Sequence, residues 1–170
     1  MALTPAHRNL LLGQAIGSVL LNIPLNGGAA WATFPPIAAL PVFAKGNCVA
    51  GDTIGTSFFL PLTTCLILTP IVRRVLRSGA VQGLPRADLP GYARFLPKNF
   101  VGRGALVGLL SALTLGVLTL VILGFVGPAE MTRGQVTLYK SIYTAILGII
   151  VTPLFGYRAL ADLESTPPKP

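Results

Sequence analysis

The sequence predicts an all-α fold: a single integral membrane domain, residues 1–170, built as a bundle of four transmembrane helices. Three observations predict it. The 170 residues are 52% hydrophobic and only 11% charged, with a mean hydropathy of +0.72, whereas soluble domains carry about 25% charged residues. Uncharged runs recur at the length needed to cross ~30 Å of hydrocarbon at ~1.5 Å of rise per residue. The basic residues crowd at one set of run ends, the asymmetry that orients multi-pass proteins.

The first span is read at 9–26. Arg8 stands before it, and no charge follows until Lys45. The stretch also fits a cleaved signal peptide, with Arg8 as its basic start, Leu10–Leu21 as its apolar centre and Gly27-Gly28-Ala29-Ala30 as a small-residue cleavage zone. Gln14 and Ser18 interrupt that centre, so a retained span is the expectation taken forward. Residues 28–44 are apolar but carry Pro35, Pro36 and Pro41, which a regular helix excludes. They are expected to form an extended outer loop anchored by Trp31 and Phe34. The alternative is a re-entrant or lid segment packed over the bundle.

The second span, 53–72, reads TIGTSFFLPLTTCLILTPIV between Asp52 and Arg73-Arg74. Asp52 or Thr53 can cap its start, and Pro61 is expected to kink it. A basic loop, 73–103, then carries Arg73, Arg74, Arg77, Arg86, Arg94, Lys98 and Arg103 against one acid, Asp88. Within it Tyr92, Phe95 and Phe100 interleave with Arg94, Lys98 and Arg103. That is the pattern of an amphipathic segment lying on an anionic leaflet. Arg73, Arg74, Arg77, Arg94, Lys98 and Arg103 are the candidate contacts to anionic lipid. Nucleic acid also suits basic residues among aromatics, but the flanking spans favour lipid, and no nucleic-acid partner is expected.

The third span is 104–126. It opens with Gly104 and Gly108, spaced like Gly13 and Gly17 of the first; such pairs permit close helix approach. The fourth is 136–157, with Tyr139, Lys140 and Tyr143 towards its outer end. Residues 159–170 read as a disordered tail. This order leaves both the N-terminus and the C-terminus cytoplasmic. Arg8, the seven loop bases, Arg158 and Lys169 lie inside, and Lys45, Arg133 and Lys140 outside. The expected location is a bacterial cytoplasmic (inner) membrane.

The second and fourth spans end alike, Ile67-Leu68-Thr69-Pro70-Ile71 and Ile150-Val151-Thr152-Pro153-Leu154. If that likeness reflects duplication, the repeat is parallel, two spans plus two. Cys48 and Cys65 are expected to remain free thiols. Cys65 sits ~18 Å of rise into its helix, and a disulfide needs Cα atoms within ~7 Å.

Within the spans the ordered polar feature is a band of Gln14, Ser18, Asn22 and Asn26. Steps of four place them along one helix face, and Thr56, Thr63 and Thr64 are expected to complete the band from the second span. Such a band either bonds helices together or lines a path for a neutral solute or a lipid headgroup. No Asp, Glu or Arg falls inside a span, which argues against proton coupling. His7 is the single histidine, which argues against a His-rich metal site or bis-histidine haem. There is no CxxC, HExxH or GxSxG motif. No catalytic, cofactor-binding or metal residue is assigned, and enzyme activity is not expected. Two functions remain: a non-catalytic accessory or partner-binding subunit among other membrane proteins, or a small homo-oligomeric transporter or channel for a neutral solute or lipid.

Overall fold

The computed structural model describes residues 3–34 and 39–163. In chain order the elements are α1 (Pro5–Thr33), β1 (Leu40–Pro41), α2 (Val49–Arg77), a 3-10 turn (Arg86–Asp88), α3 (Gly91–Arg94), α4 (Phe100–Ser111), a π-helical turn (Ala112–Gly116), α5 (Val117–Val126), β2 (Glu130–Met131) and α6 (Arg133–Leu160). The stretch Phe100–Val126 is one continuous rod. That rod, α1, α2 and α6 are the four helices long and apolar enough to cross a membrane.

Each long helix starts ahead of its predicted span because of its N-terminal cap. Thr4 and His7 close a capping box at the start of α1, and Thr132 and Gln135 close one at the start of α6. Asn99 caps α4 through a 3.1 Å bond from the Val101 N–H. At α2 the cap is Cys48, not Asp52: its Sγ accepts the Gly51 N–H at 3.3 Å. That bond is the chief reason the Cys48 thiol is held below its ordinary pKa. Cys48 and Cys65 are both buried free thiols.

The starts of α1 and α4 and the ends of α2 and α6 share one end of the molecule. There the His7 ring accepts the Thr4 N–H on Nδ1 at 3.2 Å and reaches the Gln82 carbonyl through Nε2 at 2.8 Å. At the other end β1 and β2 pair antiparallel, Leu40 opposite Met131 and Pro41 opposite Glu130. The rods therefore alternate in direction. Laterally they do not follow chain order. α1 packs along α6, α6 along α2, and α2 along α4.

Two devices hold these contacts. The first is missing side chains: a Cβ on Gly108 would lie 2.5 Å from the Phe58 carbonyl oxygen, and one on Gly104 3.1 Å from the Cys65 Cβ. Among lipid tails there is little hydrophobic drive between helices, so close approach by small residues carries much of the association. The second is a hydroxyl ladder between α2 and α6. Thr53 Oγ1 and the Tyr139 hydroxyl are 2.8 Å apart, and Ser57 Oγ and the Tyr143 hydroxyl 2.5 Å.

Two expectations are corrected. Residues 28–33 continue α1, and Phe34, Leu40 and Val42 are buried in a cluster with Val49, Met131 and Val136. These parts of 28–44 thus cover the end of the bundle, as in the lid alternative, while Trp31 stays exposed under the Arg133 guanidinium at 3.7 Å and Phe43 is exposed as well. Pro35 and Pro36 lie outside the described residues. The tail read from 159 is structured at its start, because Leu160 accepts the Leu84 N–H at 3.0 Å and Ala159, Leu160 and Ala161 are buried. Residues 164–170 lie outside the described residues.

Candidate functional site

α1 and α2 scarcely touch each other. Both pack against α6, and a groove of about 720 Å³ runs between them. Along α2 its lining extends from Asp52 to Ile71, roughly 28 Å of helix rise, close to the hydrocarbon thickness of a bilayer. Gln14, Ser18, Asn22 and Asn26 line it from α1; Thr56, Thr63 and Thr64 line it from α2. All seven residues singled out in the sequence thus meet in one place.

Most of these side chains have local partners. Asn22 Nδ2 donates to Ser18 Oγ at 3.0 Å, and Asn26 Nδ2 to the Asn22 carbonyl at 3.1 Å. Thr63 Oγ1 donates to the Phe59 carbonyl at 2.8 Å. The band also serves as glue, since a Cβ on Gly148 of α6 would lie 2.8 Å from Asn22 Nδ2 and 3.0 Å from Ser18 Oγ. Gln14 differs. Both of its amide atoms are buried without a partner, as is the hydroxyl of Thr152, which reaches the groove from α6 and is 1% exposed. A buried polar group left unmatched costs about 1–3 kcal/mol.

The glycines divide in the same way. Gly27, Gly104, Gly108, Gly148 and Gly156 are each filled by a neighbouring helix, whereas a Cβ on Gly17 or Gly55, both lining the groove, would meet nothing within 4 Å. In the sequence Thr152 stands only as part of a repeated Thr-Pro ending. The mouth of the groove at the β-paired end carries a further pair missed in the sequence, Lys140 Nζ on Asp52 Oδ1 at 2.6 Å. Their 88-residue separation left no local signal.

The six candidate lipid-binding bases are divided by the fold. Arg74 and Arg77 are exposed on the last turns of α2, and Lys98 is exposed just before α4. Arg94 folds onto the Leu89 and Ala87 carbonyls. Arg103 is turned inward and is wholly buried. It donates through Nη2 to Asp162 Oδ1 at 2.8 Å. Arg158 reaches the same carboxylate at 2.7 Å and Arg73 at 2.8 Å. A buried guanidinium is stable only when paired, which is why Arg103 cannot serve the lipid surface. Tyr92 and Phe95 of the same loop are 57% and 87% exposed.

Among the described residues no group of three or more His, Cys, Asp or Glu could hold a metal ion. Comparison with protein-family models, with curated proteins and with solved structures gives no match.

Proposed function

We propose that this protein is a non-catalytic, partner-binding subunit of a membrane assembly, and that the groove between α1 and α2 receives a transmembrane helix of another protein. One observation carries the reading: the unmatched polar atoms of Gln14 and Thr152 share a groove with the vacant glycines Gly17 and Gly55. A helix laid there gains backbone approach at the glycines, and a rotation of the Gln14 side chain, which lines the groove, would bring its unmatched amide to a polar group on that helix. The charge split supports a cytoplasmic basic end and a bacterial cytoplasmic membrane. The exposed Tyr92 and Phe95, together with the exposed Arg74, Arg77 and Lys98, support contact of that end with an anionic leaflet.

A second reading is transport of a neutral solute or lipid by a homo-oligomer. The volume of about 720 Å³ already present, with nine polar residues on its walls, favours it. Photo-crosslinking in native membranes separates the two. A photoreactive residue at Ile67, in the groove, should capture a distinct membrane protein, while one at Leu113, on the outer surface of the rod, should not. Gly55→Leu should remove the capture. Adducts with lipid alone, or with a second copy of this chain, would overturn the partner-helix reading in favour of transport.

A further inference from the structure

At the basic end a smaller pocket of about 190 Å³ lies against the Asp162 cluster, lined by Arg73, Arg86, Lys98, Arg158, Ala161 and Asp162. Its charge does not balance. Arg73, Arg103 and Arg158 share the single carboxylate of Asp162. Arg86 and Lys98 add two more positive charges at the wall, making five bases against one acid. The other acids in this part of the sequence are Asp88 and Glu164. Setting both against the cluster still leaves an excess of two positive charges. The excess is not all at the surface: Arg158, in the pocket wall, is 2% exposed, and Arg103, which shares its carboxylate without lining the pocket, is 0% exposed. Uncompensated charge of this kind calls for an anion.

We propose that this pocket binds a phosphate group that no attached cation offsets, carried either by an anionic glycerophospholipid headgroup or by free inorganic phosphate. Several oxygens on one anion match several guanidinium forks, and Arg pairs with phosphate in two-point geometry that a single carboxylate does not exhaust. The volume exceeds the ~30 Å³ share of a single liquid water several-fold, which leaves room for a tetrahedral anion. A basic pocket between transmembrane helix ends is a recurring headgroup site, and the exposed Phe95 marks the same end as one that meets lipid. The inference is independent of what fills the α1–α2 groove.

The test uses the full chain, delipidated in detergent, and the double variant Arg86→Ala/Lys98→Ala. These two residues line the pocket without bonding Asp162, so the buried cluster stays intact; size-exclusion profile and helical circular dichroism check the fold, and Lys98→Gln alone gives a second, milder probe. Native mass spectrometry should show phosphatidylglycerol retained at least tenfold more strongly than phosphatidylcholine, with that preference lost in the double variant and reduced in Lys98→Gln. Millimolar inorganic phosphate is then titrated against thermal stability. Lipid selectivity without a response to phosphate assigns the headgroup; a phosphate response that the double variant loses assigns the free anion. No preference for the anionic lipid together with no phosphate response, or wild-type behaviour in both variants, overturns the proposal.

Discussion

Arg103 and Asp162, 59 residues apart in the chain, form a 2.8 Å ion pair in which the guanidinium is fully buried and the carboxylate is 3% exposed. The pair joins the start of α4 to the residues just beyond α6. Arg158 and Arg73 converge on the same carboxylate, so this acid ties three of the four rods together. Removing it strands two buried positive charges. Asp162→Asn should therefore destabilise the protein by about 3–5 kcal/mol, read as a lowered unfolding midpoint in mild detergent. Replacing Arg103 with Leu in the same chain should recover part of the loss.

The two GxxxG pairs should respond in opposite ways. Gly108→Ala places a methyl 2.5 Å from the Phe58 carbonyl oxygen, a backbone atom, and should cost about 1–3 kcal/mol as the rods are pushed apart. Gly13→Ala meets nothing within 4 Å and should leave stability within about 0.5 kcal/mol. Denaturant unfolding of the two variants side by side checks the contrast.

Gln14→Leu should not destabilise the isolated protein. Neither amide atom has a partner there, and replacing an unmatched polar group with an apolar one of similar shape is nearly neutral or stabilising. The same change should lower the yield of the groove crosslink. Higher stability with undiminished capture would show that Gln14 does not face the partner.

The hydroxyl ladder can be measured by a double-mutant cycle. Ser57→Ala and Tyr143→Phe each remove one side of the 2.5 Å contact, and the coupling between them should be about 0.6 kcal/mol and below ~1.7 kcal/mol. A coupling near zero would mean that α2 and α6 are held by packing alone.

The helical class and the four long apolar rods were legible in the sequence because both depend on local properties. An uncharged run of about twenty residues announces a span wherever it falls, and positions four apart share a face whatever lies opposite. That is why Gln14, Ser18, Asn22 and Asn26 could be grouped in advance, and why Thr56, Thr63 and Thr64 could be expected across from them. The caps were less legible. Cys48 starts α2 through a sulfur acceptor where the sequence offered Asp52 or Thr53, and the prolines of residues 28–44 hid the helical turns that precede them.

The sequence by itself determined composition, span number and the polar face of α1, since each is written within a few consecutive turns. Only the tertiary structure decided which neighbours those turns meet. It set the lateral order α1, α6, α2, α4, which fills Gly104 and Gly108 and leaves Gly13 and Gly17 open. It also drew Arg103 away from the surface to Asp162, and brought Thr152 to the groove. The physical reason is common to all three: two identical motifs, or two arginines a turn apart from a span, have the same local energy. What separates them is whether a helix or a carboxylate from a distant part of the chain arrives within contact distance.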